Sequence, residues 1–213
     1  MPADLPAAAF RRHDESPDAA FYAAPRFVTH IDDAAVAAVT ALYRELLPAG
    51  GAVLDCMSSW VSHLPDDVAY ARVAGLGMNA EELAANPRLT EWQVQDLNAH
   101  PRLPHGDGEF DGAGCCVSVQ YLTRPEAVFR DVARVLRPGA PFVVTFSNRC
   151  FPTKAVAAWH GLDDAGHARL VAAYFASAGA FGPAEVWAHQ PRHGDPLWGV
   201  IARRLETAGP AAA

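Results

Sequence analysis

A short apolar run with an embedded carboxylate most constrains what this chain can fold into. Residues 52–56 read AVLDC after the pair Gly50-Gly51, and small polar residues and Trp60 follow. A short apolar run behind a glycine turn is typical of a buried parallel strand. In doubly wound α/β sheets, ligands bind just beyond the carboxyl ends of such strands. The segment from Asp55 to Trp60 is therefore predicted to lie in a functional site.

Strand patterns alternate with helix patterns over most of the chain. Helices are predicted at residues 32–47 with Asp32 as the N-cap, after Asn79, from Thr123 onward and at residues 163–178. Asn79 and Thr123 each stand three residues before a glutamate, which is the capping-box pattern. The alternation predicts an α/β fold: a doubly wound, mostly parallel seven-stranded sheet with helices on both faces and an antiparallel last strand. The predicted strands cover residues 52–56, 69–76, 91–94, 112–119, 141–146, 184–188 and 197–203.

The remaining segments are read as connections and ends. About one helical turn fits near residues 58–63, and residues 148–159 read as a long loop or a partly helical insertion. Residues 1–20 are rich in Pro, Ala and charge without a period, which predicts a mobile N-terminal arm. A chain of 213 residues fits one domain, predicted at residues 21–205, with a disordered tail at residues 206–213.

Composition argues against several classes of protein. No apolar run approaches the roughly 18 residues of a transmembrane helix, and no secretory signal pattern is seen, so no membrane partner is expected. The formal net charge of −7 argues against nucleic-acid and anionic-membrane binding. Four cysteines, of which Cys115 and Cys116 are adjacent, predict reduced thiols in a cytoplasmic protein. No Cys/His spacing matches a zinc site, so no metal is expected.

Four short motifs then occur in a fixed order. With these residues the chain, over roughly residues 21–205, resembles the class I S-adenosylmethionine-dependent methyltransferases. The resemblance implies a Rossmann-like methyltransferase fold, a transferase activity, S-adenosylmethionine as the cofactor and S-adenosylhomocysteine as its product. The motifs are Val53-Leu54-Asp55, Asp96-Leu97, Phe110-Asp111 and Leu136-Arg137-Pro138-Gly139.

The chain departs from the family pattern at two places. The first strand is followed by Cys56-Met57-Ser58-Ser59-Trp60, where the family has a glycine-rich loop. Small residues and free backbone N–H groups are what that loop supplies, so Ser58 and Ser59 are candidates for the role. The acid that takes the ribose hydroxyls falls on Gly77, and Asn79, two residues later, is a candidate to offer an amide instead.

Candidate cofactor contacts follow from the resemblance and from the strand ends. Asp55 is predicted to meet the cofactor directly or through water, and Asp96 and the backbone N–H of Leu97 to meet the adenine. The full predicted set is Asp55, Met57, Ser58, Ser59, Gly77, Met78, Asn79, Asp96, Leu97 and Cys116.

The acceptor side of the site is predicted from aromatic and titratable residues. Methyl transfer is an in-line displacement that needs alignment and exclusion of water, and a base if the nucleophile carries a proton. His30, His63 and His160 are the candidate bases, and Tyr121 at the end of the fourth strand is expected to face the reacting atoms. The aromatic segment 21–30 is predicted to close over the site as a lid. The predicted substrate contacts are Tyr22, Arg26, Trp60, Gln120 and Asn148.

Two functions of different classes fit this sequence. The first is methyl transfer to a small-molecule acceptor by a monomer or homodimer. The second is a methyltransferase-like domain without transfer activity, which binds a ligand or partner or runs another reaction on the same fold. The segment Asn148-Arg149-Cys150-Phe151-Pro152 lacks the Asn/Asp-Pro-Pro-aromatic signature of enzymes that methylate base nitrogens, which disfavours a nucleic-acid acceptor. No G-x-G-x-x-G follows the first strand, which disfavours a NAD enzyme.

Overall fold

A mixed sheet of seven strands carries the structure, a computed structural model that describes residues 5–206. The first five strands are parallel to one another, and the last strand pairs antiparallel with both of its neighbours. The strands are β1 (Ala52–Ser58), β2 (Arg72–Gly77), β3 (Glu91–Val94), β4 (Gly112–Cys116), β5 (Pro141–Ser147), β6 (Glu185–His189) and β7 (Leu197–Arg203). Their spatial order is β3-β2-β1-β4-β5-β7-β6.

This arrangement confirms the predicted fold class. The strand order reverses at β1, which lies between β2 and β4, so the carboxyl ends of these strands flank the switch point where such sheets bind ligands. Three predicted strand boundaries shift by two or three residues: β2 begins at Arg72, β4 ends at Cys116 and β1 runs on to Ser58. The last of these shifts bears on the site described below.

Six helices cover the sheet within the described residues. They are α1 (Asp18–Phe21), α2 (Asp33–Leu46), α3 (Ala80–Ala85), α4 (Pro125–Val135), α5 (Ala157–His160) and α6 (Asp164–Ala178), with short 3₁₀ turns at Ala7–Phe10 and Val119–Tyr121. The helical turn predicted near residues 58–63 is not formed. None of the helices in residues 5–206 has the length and hydropathy that crossing a bilayer requires.

Alternating side chains of the strands belong to two hydrophobic clusters, one on each face of the sheet. On one face Val39 and Tyr43 of α2 pack with Val53 of β1. On the other face Phe129 of α4 and Tyr174 of α6 pack in the cluster that includes Leu54. Successive residues of a strand point to opposite faces, so the run Val53-Leu54 supplies both clusters at once.

Helix caps agree with the sequence at two of three places. Asp32 and Asn79 each accept backbone N–H bonds at the start of a helix, as predicted, and Asp163, predicted as the first residue of its helix, does the same for α6. The cap predicted at Thr123 is wrong, because α4 starts at Pro125 with Arg124 as the N-cap and no side-chain bond. Proline at the first helical position has no N–H that would need a partner.

The N-terminal segment contacts the domain closely. We call residues 5–30 the strap. The Ala157 N–H donates to the Arg11 carbonyl over 2.8 Å, and the Asp14 N–H donates to the Thr153 carbonyl over 2.9 Å. The sequence pattern predicts a mobile arm over residues 1–20, whereas residues 5–20 pack through these polar contacts and through Leu5 and Phe10, which lie against the core without a regular hydrophobic period. Residues 1–4 of that predicted arm, and residues 207–213 of the predicted tail, lie outside the described residues.

Candidate active site

A cavity of about 250 Å³ lies at the carboxyl ends of the central strands, under the strap. All ten residues predicted to contact the cofactor line it, as do the predicted catalytic residues His30, His63 and Tyr121. Tyr22 and Arg26 of the strap line it as well. His160, the further candidate base, is exposed on α5 and is absent from its wall. The structure therefore brings the predicted residues together around one space.

Three predicted substrate contacts lie elsewhere. The Trp60 indole N–H donates to the Val28 carbonyl over 2.9 Å, so that side chain fastens the strap from outside the cavity. Gln120 is fully buried and donates to the Val117 carbonyl. Asn148 is exposed beyond the end of β5. Each follows a strand or the first loop, but the direction of its side chain is set by packing that the sequence does not show.

Strained backbone surrounds the cavity. His30, Met57, His63 and Val117 have φ angles of 65°, 60°, 55° and 43°, in the left-handed region that favours glycine. In residues 5–206 these are the four non-glycine residues with positive φ, and all four line the cavity. Backbone strain of this kind costs about 1–3 kcal/mol per residue and clusters at functional sites.

The end of β1 explains why the family's ribose acid is missing. The register of β1 and β2 shifts between Cys56 and Ser58, so that Met57 bulges and Ser58 pairs with Gly77. A Cβ atom built on Gly77 would lie 2.2 Å from the Ser58 carbonyl oxygen. No side chain fits at position 77 while the bulge is present. The missing acid and the missing glycine loop are thus two parts of one local rearrangement.

Asn79 is not free to replace that acid. Its side-chain oxygen accepts the N–H groups of Glu81 and Glu82, and its amide donates to the carbonyls of Tyr22 and Ala23 over 3.0 and 3.1 Å. Both amide protons are used. The expectation that Asn79 offers an amide to a ribose is therefore corrected: in this structure it caps α3 and anchors the strap.

Glu82 is a cavity residue that the sequence reading missed. Its carboxylate is buried on the first turn of α3, lines the cavity and accepts the Arg26 backbone N–H over 2.7 Å. Burial raises the pKa of this carboxyl. The capping-box pattern assigned Glu82 to the helix start, where its side chain should return to the Asn79 N–H. The signal that could have found it is its position one turn after Asn79 at the end of β2.

Asp55 is held rigidly at the end of β1. One carboxylate oxygen accepts the hydroxyls of Ser58 over 2.5 Å and of Ser62 over 2.6 Å, and Ser62 in turn accepts the Asn86 amide. Burial raises the pKa of Asp55 to about 6, against the lowering effect of these two hydroxyls. The loop after β1 is therefore organised around a carboxyl group rather than around glycines.

Two neutral imidazoles face the cavity. Burial, together with the nearby His30, lowers the pKa of His63 to about 4. Burial and the charge of Arg26 lower the pKa of His30. The Nδ1 atom of His63 is buried without a hydrogen-bond partner among residues 5–206. Both rings are uncharged at pH 7, which is the form that can accept a proton.

The opposing pKa shifts of Asp55 and His63 give a prediction about stability. Between about pH 4 and pH 6 the folded chain keeps a proton on Asp55 that the unfolded chain loses, which lowers stability as pH rises. In the same range the unfolded chain holds a proton on His63 that the folded chain excludes, which raises stability as pH rises. We expect the free energy of unfolding of Asp55→Asn, relative to that of wild type, to rise by about 2–3 kcal/mol between pH 4 and pH 6. For His63→Gln we expect the same difference to fall over that range.

Urea unfolding at pH 4, 5, 6 and 7 measures this directly. The difference between each variant and wild type isolates the one titration, because all other groups are shared. Curves for Asp55→Asn and wild type that run parallel from pH 4 to pH 6 would show that the carboxyl of Asp55 titrates normally.

The comparisons with known proteins agree with this geometry. A family described as a methyltransferase domain matches residues 56–144, which run from the end of β1 into β5. This match and the strand order indicate a methyltransferase domain of the class I S-adenosylmethionine-dependent type. The family accounts for the strand order, and S-adenosylmethionine is the cofactor of this family. No cluster of three metal-ligating side chains occurs in the described part of this methyltransferase.

A curated relative and two solved structures illustrate the likeness. The malonyl-[acyl-carrier protein] O-methyltransferase of Hahella chejuensis is 28% identical over 135 residues, which are 61% of this chain and 47% of the relative. The chain thus spans about half the length of that relative. A chain from the Haloferax volcanii complex of the Trm112 activator with a methyltransferase superposes with a TM-score of 0.58 at 16% identity, covering 84% of this chain and 90% of that one.

Phosphoethanolamine N-methyltransferase 2 of Haemonchus contortus, in complex with S-adenosyl-L-methionine, superposes with a TM-score of 0.57 at 13% identity. The superposition covers 78% of this chain and 51% of that one. At such identities the two solved structures support only the fold of this chain.

Proposed function

We propose that this methyltransferase transfers a methyl group from S-adenosylmethionine to a small-molecule acceptor. The observation that carries the proposal is the cavity at the switch point, which holds all the predicted cofactor residues and is covered by the strap. Its neutral imidazoles and aromatic wall are suited to aligning an acceptor and keeping water away. The four free thiols and the negative net charge support a cytoplasmic enzyme with a small-molecule acceptor rather than a nucleic acid.

The residues of the cavity fit the cofactor in three places. Asp55, Ser58 and Ser59 line the wall after β1, where they would face the amino-acid part of the cofactor. Asp96 and Leu97 lie after β3, where they would meet the adenine; the side chain of Asp96 accepts the N–H groups of Asn98 and Ala99 through one oxygen and leaves the other available. Glu82 supplies a carboxylate to the cavity that is also lined by Gly77, the position of the family's ribose acid.

The chemistry needs little from the protein beyond placement. The cofactor, when bound, supplies an electrophilic methyl group on a sulfonium sulfur. We propose His63 or His30 as the group that takes a proton from an acceptor that carries one, since both line the cavity with neutral rings; their lowered pKa values make them weak bases. Tyr121, whose pKa burial raises to about 12, stays protonated, and its oxygen accepts the Phe151 N–H over 2.8 Å. The Tyr121 ring also stacks on the Phe151 ring with the centroids 5.8 Å apart, which positions Phe151 at the proposed acceptor side.

Binding of S-adenosylhomocysteine, followed by calorimetry, tests the proposal and the role of Glu82. We expect Glu82→Gln to weaken S-adenosylhomocysteine binding about 10- to 100-fold, since a hydrogen bond to a charged group contributes about 1.5–3 kcal/mol. The glutamine keeps an oxygen for the Arg26 N–H, so the strap stays attached. Glu81→Gln is the matched control, because Glu81 is exposed on the same helical turn.

An analogue of S-adenosylhomocysteine without the two ribose hydroxyls distinguishes hydrogen bonding of Glu82 to the ribose from a purely structural role of Glu82. Wild type and Glu82→Gln are expected to bind this analogue equally. Equal loss for both ligands would make Glu82 a structural residue. If wild type binds neither S-adenosylmethionine nor S-adenosylhomocysteine, the proposed function is wrong and the domain acts as a non-transferring member of the family.

A further inference from the structure

Arg26 brings a positive charge to the cavity from the strap. One guanidinium nitrogen donates to the Phe21 carbonyl over 2.9 Å, and a second reaches the Ala24 carbonyl only over 3.5 Å. The guanidinium carbon lies 4.7 Å from the ring centre of Phe21, 5.3 Å from that of Phe151 and 5.7 Å from that of Tyr22. Aromatic rings thus hold the charge in place while several of its N–H groups remain free.

No carboxylate of residues 5–206 forms an ion pair with this guanidinium. The nearby Glu82 accepts the backbone N–H of Arg26 rather than its side chain. The other arginines near the cavity differ: Arg12 pairs with Asp18 over 2.8 Å, and Arg149 pairs with Asp195 over 2.7 Å. Arg26 is therefore the arginine of this wall whose charge is available to a bound molecule.

The groups around Arg26 favour an acceptor with a negative charge over one with a positive charge. His30 and His63 are uncharged at neutral pH, so they do not compete for an anion. Of the carboxylates that line the cavity, Asp18 is neutralised by Arg12 and Lys154, and Glu82, which accepts the Arg26 backbone N–H, is assigned above to the ribose of the cofactor. An ammonium group entering among Tyr22, Phe151 and Arg26 would meet a like charge. A carboxylate would gain charge-assisted hydrogen bonds in the fork geometry that a guanidinium offers.

We propose that the acceptor of this methyltransferase is a small carboxylic acid with a flat or apolar body, anchored by Arg26. The carboxylate is bound by the free N–H groups of Arg26, and the body of the acid lies against Tyr22 and Phe151. This inference rests on the proposed methyl transfer and names its substrate class. Arg26 acts as an anchor that decides which acceptors are bound, and the proton or electron pair of the reaction does not pass through it.

Matched acids and amides test the anchor in protein saturated with S-adenosylhomocysteine. The probes are phenylacetate, 4-hydroxybenzoate and octanoate, each compared with its primary amide by calorimetry. We expect at least one acid to bind at least tenfold more tightly than its amide. Arg26→Gln is expected to weaken that acid at least tenfold while the affinities for its amide and for S-adenosylhomocysteine stay unchanged. Arg26→Lys, which keeps the charge, is expected to recover part of the loss.

The controls separate this inference from the proposed function and from a structural role. Arg11→Gln removes a guanidinium whose side chain is 77% exposed on the same strap, and it is expected to change nothing. Equal weakening of acid and amide by Arg26→Gln, or no acid binding to the saturated protein, would overturn the anchor. A wild-type protein that fails to bind S-adenosylhomocysteine would instead overturn the methyl-transfer function, and this inference with it.

Discussion

Asp18→Ala is expected to lower the melting temperature of this methyltransferase by about 10 °C. Asp18 is 5% exposed, and it accepts two bonds from the Arg12 guanidinium and one from the Asn98 amide, with Lys154 Nζ 3.2 Å away. Lys154 is fully buried. Removing the carboxylate leaves two buried cations short of a partner, which costs about 3–5 kcal/mol. A domain of this size loses roughly 2–4 °C per kcal/mol.

Melting followed by circular dichroism measures the effect. Glu15→Ala is the control on the same segment, because that side chain is 52% exposed, and it should melt like wild type. The double variant Asp18→Ala/Lys154→Met should recover part of the loss, since it also removes one of the unpaired charges. A single Asp18→Ala variant that melts within about 2 °C of wild type, which corresponds to about 0.5–1 kcal/mol, would contradict the assignment of these charges as a buried cluster.

The same cluster has a defined pH dependence. Burial raises the pKa of Asp18, but the bonds from Arg12 and Asn98 outweigh it, so the pKa lies below its ordinary value. A depressed pKa in the folded state means that the stabilisation is complete above about pH 4 and is lost as the pH falls further. The expected difference between wild type and Asp18→Ala therefore narrows in strong acid.

Introducing a side chain at position 77 is expected to lower the stability of the fold nearly as much as Asp18→Ala. Gly77→Ala should cost about 3 kcal/mol or more, because its Cβ would lie 2.2 Å from a backbone oxygen that belongs to the neighbouring strand. Gly77→Asp, which restores the acid of the family pattern, should fare worse, and it should lower the affinity for S-adenosylhomocysteine rather than raise it.

Chemical denaturation with a matched glycine checks this prediction. Gly161→Ala is the control, since a Cβ there meets nothing within 4 Å and the backbone φ of −90° suits any residue. Gly161→Ala should unfold within about 0.5 kcal/mol of wild type. If Gly77→Asp proves as stable as Gly161→Ala and binds the ligand more tightly, the bulge at Met57 is not a fixed part of the fold.

The sheet could be predicted because its signals are local. Five parallel strands and their helices are encoded by apolar runs, caps at Asp32 and Asn79, and breaks at glycine and proline. The position of the site followed from the end of β1. The bounds of the strands moved where tertiary pairing decides them, as at Ser58, whose partner Gly77 is encoded about twenty residues later along the chain.

The parts of the site that could not be predicted depend on contacts between distant segments. The sequence position of Asn79 predicts a polar side chain that binds a ligand, but its side-chain amide donates to the backbone carbonyls of Tyr22 and Ala23 in the strap. The sequence position of Glu82 predicts a capping role at the start of a helix, but its carboxylate instead accepts the backbone N–H of Arg26 in the strap and faces the cavity. Both reassignments come from residues 22–26, in the aromatic segment that the sequence predicts as a lid, and that segment has no period that would pair it with Asn79 or Glu82.

The contacts of the strap also set the order in which the cavity can form. Lys154 donates to carbonyls of the strap that lie 138 and 140 residues earlier in the chain. Contacts of such large sequence separation form late, because the entropy of closing the intervening loop must be overcome first. The sheet and its two hydrophobic clusters come from closer segments and can assemble without them. We therefore expect the attachment of residues 14–16 of the strap to be among the last steps of folding, and a nascent chain to lack it until Lys154 has been made.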